Sequence, residues 1–145
     1  MTPAVTRIDF YVLEEPGTEP RRRLACRLAE KAFAQGHAVF LHAADEAEAA
    51  ALDELLWTFR AGSFVPHARP GDPLAATVRV LIDAGAPPAD MSDVLVNLHP
   101  DVPPFFSRFG RLAEIVTPDT RAAARARYRH YQQRGYPLHT HRLGR

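Results

Sequence analysis

Cysteine, lysine and long apolar runs are scarce in this chain, and each scarcity excludes a class of protein. The single cysteine, Cys26, excludes an internal disulfide and a multi-cysteine zinc site. The single lysine, Lys31, falls inside a predicted helix, so neither a phosphate-binding loop nor a Schiff base has a candidate lysine. No apolar run approaches the roughly 20 residues that span a membrane, and we see no signal peptide. We therefore expect a cytoplasmic protein without a membrane partner.

The rest of the composition is that of an ordinary globular domain. Of 145 residues, 46% are hydrophobic and 24% are charged, which excludes a disordered or fibrous chain. A chain of this length usually forms one domain. Since the sequence contains no internal repeat and no dividing linker, we predict a single domain over residues 1–145.

Positive charge is concentrated in the last quarter of the chain. Residues 108–145 contain nine arginines and only two acidic residues, a net charge of +7, whereas residues 1–107 carry −6. Such asymmetry indicates a basic face for an anionic partner. The alternative is a solvated helix face whose charges happen to be basic. Charge alone does not distinguish a nucleic acid from an acidic peptide as the partner.

Strand-like and helical segments alternate along the sequence. Segments rich in β-branched and aromatic residues predict five strands at 7–13, 38–42, 77–82, 93–98 and 111–116. Apolar spacing and capping residues predict helices over 20–35, from about Asp45 to Trp57, and from Thr117 and Pro118 to about Arg134. This alternation predicts a Rossmann-like α/β fold, a mainly parallel sheet with helices on both faces. We expect residues 136–145 to form an extended or loose tail.

The sequence contains no recognisable catalytic constellation. The turn after the first strand, EEPGTEP, has three acidic residues and one glycine, so it would repel a phosphate. Cys26 lies beside Phe33 on a helix, where we expect a packing residue rather than a nucleophile. His139 and His141 form an HxH pair that could bind a metal, but no third ligand lies nearby. We therefore expect no catalytic, cofactor or metal site, which disfavours an enzyme and favours a binding role.

The first segment with the composition of a binding surface is LDELLWTFRAGSFVPH, residues 52–67. Trp57 ends a helix, and Phe59, Phe64 and Val65 follow in a long proline-rich loop over 59–75. Loops of this length are often functional, and tryptophan and phenylalanine are typical of interface hot spots. These side chains either cover the core or anchor a partner. Because Trp57 and Phe64 flank the loop and do not lie inside a periodic element, we predict that they lie close together and partly exposed.

The second such segment is the last helix, residues 117–136. Arg121, Arg125 and Arg129 recur every four residues and so share one face, with Tyr128 beside them. Three like charges in a row repel one another, which favours an anionic partner docked across them. Arginine suits a carboxylate because its planar fork binds both oxygens. The alternative is a solvated face with the tyrosines packed inward.

At these segments the sequence resembles a known family. The stretches DFYVL, LDELLW with SFVPH, DVLVNL with FFSRF, and ARARYRHYQQRGYPL follow one another along nearly the whole chain. Together they resemble the chi subunit family of bacterial DNA polymerase III. The resemblance implies a single α/β domain without catalysis of its own, acting in DNA replication as an accessory subunit of the clamp-loader assembly.

The resemblance also implies two protein partners. One is the psi subunit, which tethers the domain to the clamp loader and would contact Trp57 and Phe64. The other is the acidic C-terminal tail of single-stranded-DNA-binding protein, which ends in phenylalanine. The residues implied for this tail are Val116, Arg121, Arg125, Tyr128 and Arg129. The partner is then an acidic peptide, and DNA is met mainly indirectly. The alternative is direct single-stranded nucleic-acid binding by the basic helix, although no row of aromatic residues follows a basic groove.

Overall fold

Seven parallel strands form one sheet in the computed structural model, which describes residues 5–143. The strands are β1 (Arg7–Leu13), β2 (Val39–His42), β3 (His67–Ala68), β4 (Val80–Asp83), β5 (Val94–Asn97), β6 (Arg111–Val116) and β7 (Leu138–Leu143). Their order across the sheet is β3-β4-β2-β5-β6-β1-β7, and each neighbouring pair is parallel. The predicted α/β class is confirmed, with seven strands instead of about five.

Three α-helices flank the sheet, and side-chain caps precede two of them. They are α1 (Thr18–Ala34), α2 (Glu46–Thr58) and α3 (Arg121–Gln133), and short 3-10 helices lie at Ala75–Thr77, Phe106–Arg108 and Pro118–Thr120. The Asp45 carboxylate accepts the Glu48 backbone N–H at 2.8 Å, which caps α2. Thr117 and Thr120 form a capping box ahead of α3, with Pro118 at the first helical position.

Different helices cover the two faces of the sheet. On one face, α1 and α2 bury Leu24 and Leu52 against strand residues such as Leu41. On the other, α3 buries Tyr131 against Phe10. Side chains alternate between the faces along each strand, so every central strand contributes to both cores. Full burial of each large apolar side chain stabilises this three-layer arrangement by about 1.5–3 kcal/mol.

Of the two alternatives predicted for residues 136–145, an extended or a loose tail, the loose one is wrong for most of that segment. Residues 138–143 form β7, which pairs with β1 from Ile8 to Leu13. The His141 ring stacks on Tyr11 with centroids 4.8 Å apart. The sequence LHTHRL has only two apolar residues, and its pairing partner lies at the opposite end of the chain, so no local pattern indicated a strand. Residues 144–145 lie outside the described part.

The predicted loop over 59–75 also contains structure. His67 and Ala68 form β3, a two-residue strand that pairs with β4 at the edge of the sheet. A strand this short produces no period-2 pattern long enough to detect. The sheet therefore has two edge strands, β3 and β7, that the sequence did not reveal.

Candidate protein-interaction surfaces

A groove with basic rims and an apolar floor lies between α3 and β7. Its cavity measures about 380 Å³. We call it the basic groove. It is lined by Phe10, Val12, Val116, Arg121, Ala124, Arg125, Tyr128, Thr140 and Arg142. Strands β6 and β1 supply the floor, while α3 and β7 supply the two rims.

Strand register explains which side chains form the floor and the β7 rim. Val12 pairs with Val116 on one side and with Arg142 on the other. Paired residues of neighbouring strands project to the same face, so these three side chains form a row across the sheet. Phe10 lies in the preceding row with Thr140, and the Tyr128 ring packs edge-on against it at 5.2 Å. The floor is thus apolar and flanked by one aromatic ring.

A buried polar cluster holds α3 on the sheet. Glu114 of β6 is fully buried and accepts hydrogen bonds from the Tyr131 hydroxyl at 2.6 Å and the Asn97 amide at 3.1 Å. Arg127 Nε lies 3.1 Å from the Glu114 carboxylate, and Arg127 Nη1 donates to the Pro100 carbonyl at 2.8 Å. Burial raises the pKa of Glu114 despite these partners, because the charged form loses its hydration.

Sequence reasoning missed this cluster, although two signals were present. Glu114 is the only acidic residue in the apolar strand RLAEIV, and Arg127 falls three residues after Ala124 and four before Tyr131. That spacing places Arg127 on the inward face of α3. Both residues are buried. An isolated acid in a strand and an arginine on an inward helix face together indicate a buried ion pair.

The side chains that α3 buries against the sheet determine which of its arginines face solvent. Arg121, Arg125 and Arg129 are exposed, and Tyr128 is half-buried. The structure brings Val116, Arg121, Arg125 and Tyr128 together at the basic groove. Arg129 lies one helical turn beyond Arg125, outside the lining. The predicted common face therefore exists, with a cavity beside its first two arginines.

Unpaired positive charge is concentrated at this groove. Within residues 5–143, the side chains of Arg121, Arg125, Arg129 and Arg142 have no carboxylate partner. Other arginines of the basic last quarter serve the fold: Arg108 donates to backbone carbonyls, Arg111 pairs with Asp9, and Arg127 pairs with Glu114. Arg145 lies outside the described residues. Arg134 also has no carboxylate partner within residues 5–143, and its Nη1 donates to the His130 carbonyl. The +7 excess is thus not one continuous face. Three of the arginines without a carboxylate partner, Arg121, Arg125 and Arg142, line the groove.

A second surface, the aromatic patch, consists of Trp57 and Phe64. Trp57 is 55% exposed and Phe64 is 69% exposed, and their ring centroids lie 6.2 Å apart. The predicted proximity and exposure of this pair are confirmed. Phe59 and Val65, from the same segment, are buried in the core. Phe59 and Val65 therefore cover the core, whereas Trp57 and Phe64 are exposed and free to anchor a partner. Each of the two interpretations of this segment holds for one pair of residues.

His67 supports the aromatic patch from below. Its ring lies 4.4 Å from the Trp57 ring, centroid to centroid. The two ring nitrogens lie 2.7 Å from the Val65 carbonyl oxygen and 2.8 Å from the Asp53 carbonyl oxygen. These contacts join the start of β3 to α2, so the end of the loop and the last turns of α2 are held together beneath Trp57.

The remaining candidate residues have structural surroundings. Cys26 is fully buried, and burial raises the pKa of its thiol to about 12, which confirms a packing residue. His141 Nε2 lies 2.8 Å from the Asp9 carboxylate, while His139 is exposed. Residues 5–143 contain no group of three His, Cys, Asp or Glu side chains arranged to hold a metal. None of their helices is long and apolar enough to cross a membrane.

Sequence comparison identifies one family. The family model described as DNA polymerase III chi subunit, HolC, matches residues 5–139. A protein named DNA polymerase III subunit chi from Pseudomonas aeruginosa is 45% identical over 97% of this chain and 99% of its own length. Proteins of the same name are 30% identical in Haemophilus influenzae, over 94% of this chain and 96% of theirs, and 28% identical in Escherichia coli, over 90% and 94%.

Proposed function

The chain belongs to the DNA polymerase III chi subunit family, and we propose that within this polymerase it is a non-catalytic adaptor. It is a subunit of DNA polymerase III and so acts in DNA replication. In the proposal, the aromatic patch binds the psi subunit of the clamp loader. The basic groove binds the acidic C-terminal tail of single-stranded-DNA-binding protein. The observation that carries the proposal is the basic groove, where unpaired arginines surround an apolar floor.

The groove has the chemistry to select an acidic peptide with a C-terminal aromatic residue. The floor of Phe10, Val12 and Val116 offers apolar contact to the terminal ring, whose burial contributes about 1.5–3 kcal/mol. Arg121 and Arg125 lie on the α3 rim of the groove, where their side chains can bind carboxylates of the peptide. An exposed ion pair contributes only about 0.2–1 kcal/mol. The ring would therefore supply much of the affinity. An arginine that binds a carboxylate through both of its fork donors would act as a second anchor, which we assign to Arg125, and the other arginines would select an acidic chain.

The two surfaces are far enough apart to be occupied together. Trp57 lies in the last turn of α2, which packs near β4 and β3 at one edge of the sheet. The basic groove lies at the opposite edge, between β7 and α3, and on the opposite face from α2. An adaptor needs two surfaces that do not compete, and this arrangement supports that role for the chain.

The turn after β1 supports a role without nucleotide chemistry. In nucleotide-binding α/β folds, backbone N–H groups of this turn hold a phosphate. Here the Gly17 N–H donates to the Asp119 carboxylate at 3.0 Å, and acidic residues flank the turn at Glu14, Glu15 and Glu19. A carboxylate of the chain itself thus accepts from a backbone N–H group that a phosphate would need, and the acidic residues of the turn would repel a phosphate.

A comparison of the affinities for two ligands tests this function. A fluorescent synthetic peptide, rich in aspartate and ending in phenylalanine, is titrated with the protein, in parallel with a labelled single-stranded oligonucleotide. We expect the peptide to bind more tightly, and the same peptide without its phenylalanine to bind weakly. Tighter binding of the oligonucleotide would instead favour the alternative, direct binding of single-stranded nucleic acid by the basic helix. Co-elution with purified psi subunit tests the other surface separately.

A further inference from the structure

We propose that β7 provides a second carboxylate subsite of the basic groove, formed by Arg142 with Thr140. Its ligand is an acidic side chain that precedes the C-terminal aromatic residue of the bound peptide. The inference rests on the proposed function, because it names a further part of the same groove. It assigns a binding role to a strand in a segment that the sequence predicted as an extended or loose tail.

Arg142 stands on the rim opposite the arginines of α3. Its Cα partner on β1 is Val12, a floor residue, while Arg121 and Arg125 line the cavity from α3. Thr140, two residues earlier on the same strand, projects to the same face and also lines the cavity. Its hydroxyl can donate to a carboxylate that Arg142 binds. The groove thus has cationic side chains on both rims.

A contact on the far face of the sheet anchors this rim. His141 Nε2 lies 2.8 Å from Asp9 Oδ1, and Asp9 is only 2% exposed. Arg7 and Arg111 also donate to the Asp9 carboxylate, at 3.2 Å and 3.3 Å. Because consecutive strand residues point to opposite faces, holding His141 on the α1 face directs Arg142 towards the groove. Arg142 is therefore presented from a paired strand, with its backbone position fixed.

The shape of the groove separates the two carboxylate positions. A terminal aromatic ring on the floor keeps its own α-carboxylate beside Arg125, next to Tyr128 on the helical rim. The rest of the peptide must leave the groove, and β7 is the last strand at this edge of the sheet that residues 5–143 form. A chain that leaves across β7 brings its preceding side chains to Thr140 and Arg142. An acidic side chain there meets a guanidinium that has no carboxylate partner within residues 5–143.

A double-mutant cycle between protein and peptide tests this subsite. Wild type and Arg142→Gln are each titrated with two peptides that end in phenylalanine, one with aspartates and one with asparagines upstream. We expect Arg142→Gln to weaken the aspartate peptide by up to about fivefold, the upper end of the range for an exposed charge pair. The asparagine peptide should bind both proteins equally. Arg134→Gln, which removes the same charge outside the groove, is the matched control and should affect both peptides alike.

The outcomes separate the subsite from the proposed function. If wild type binds neither peptide, the proposed function itself fails. If wild type binds the peptides and Arg125→Ala abolishes that binding, the proposed function stands. If Arg142→Gln then weakens both peptides equally, the subsite is overturned. A general loosening of β7 would also weaken both peptides equally and would count against the subsite. Only a loss confined to the aspartate peptide supports it.

Discussion

The hydroxyl of Tyr131 donates a 2.6 Å hydrogen bond to Oε2 of Glu114 and so joins the last helix to the sheet. Both side chains are fully buried. Their contact, with the ion pair between Glu114 and Arg127, fixes the rotation of α3 about its own axis. That rotation turns Arg121 and Arg125 outward and places Tyr128 against the groove floor. The chemistry of the candidate binding surface thus depends on a polar contact that no ligand would touch.

Removing the Tyr131 hydroxyl should destabilise the fold. We expect Tyr131→Phe to lower the free energy of unfolding by about 1–3 kcal/mol, because the buried Glu114 carboxylate loses a donor. Tyr128→Phe is the matched control, since this half-buried ring packs on Phe10, and it should change stability by about 0.5 kcal/mol or less. Urea denaturation of both variants measures the difference. Equal effects would contradict a special role for the Tyr131 hydroxyl.

The Asp9 carboxylate should make the docking of β7 dependent on pH. Burial alone would raise its pKa, but the hydrogen bonds from His141, Arg7 and Arg111 outweigh burial and lower the pKa of Asp9 from its ordinary value of 3.8. A lowered pKa means that the contribution to stability is fully present above pH 3.8 and is lost as the pH falls through the lower folded-state value.

The measurement is the stability difference between wild type and Asp9→Asn across a pH series. At neutral pH we expect wild type to be more stable by about 1–2 kcal/mol. The difference should shrink as the pH falls below 3.8, where the wild-type carboxylate takes up a proton. Hydrogen exchange should localise the loss to the amides between β1 and β7. A difference that does not depend on pH would show that Asp9 acts only through packing.

Truncation of the aromatic patch should weaken the complex with the psi subunit. We expect Phe64→Ala to cost about 2 kcal/mol or more of binding free energy, because this exposed ring has the character of an interface hot spot. Isothermal titration with purified psi measures the effect, and binding of the acidic peptide should survive. Leu74→Ala, at an equally exposed apolar residue outside the patch, is the control. Full psi affinity in Phe64→Ala would remove the patch from the interface.

Loss of Arg125 should remove most binding of the acidic peptide. Arg125 lines the groove without a carboxylate partner within residues 5–143, so its guanidinium can bind a carboxylate of the peptide through two hydrogen bonds, and Arg125→Ala removes that anchor. Deleting the terminal phenylalanine of the peptide should be as damaging, because charge alone confers little specificity at an exposed site. Added salt should weaken the wild-type complex. Isothermal titration of both proteins with both peptides checks this, and undiminished binding of the shortened peptide would contradict it.

Local patterns were sufficient for most of the fold. The predicted strands at 7–13 and 111–116 coincide with β1 and β6, and the caps at Asp45 and Thr117 mark the starts of α2 and of the turn that leads into α3. These features depend on residues close together in sequence, where apolar periodicity and capping chemistry act directly. The arginine stripe and the exposure of the Trp57 and Phe64 pair were likewise predictable from spacing and loop composition.

Contacts between distant segments were not predictable in this way. β7 forms a strand because it pairs with β1, and β3 forms a strand because it pairs with β4. The Glu114 and Arg127 pair forms only when α3 crosses β6. The sequence by itself determined the alternating elements, the basic helix and the exposed aromatic pair, because local periodicity and side-chain chemistry set them. Only the tertiary structure decided that Arg142 faces Arg125 across a groove, because strand pairing over the whole length of the chain sets which residues become neighbours.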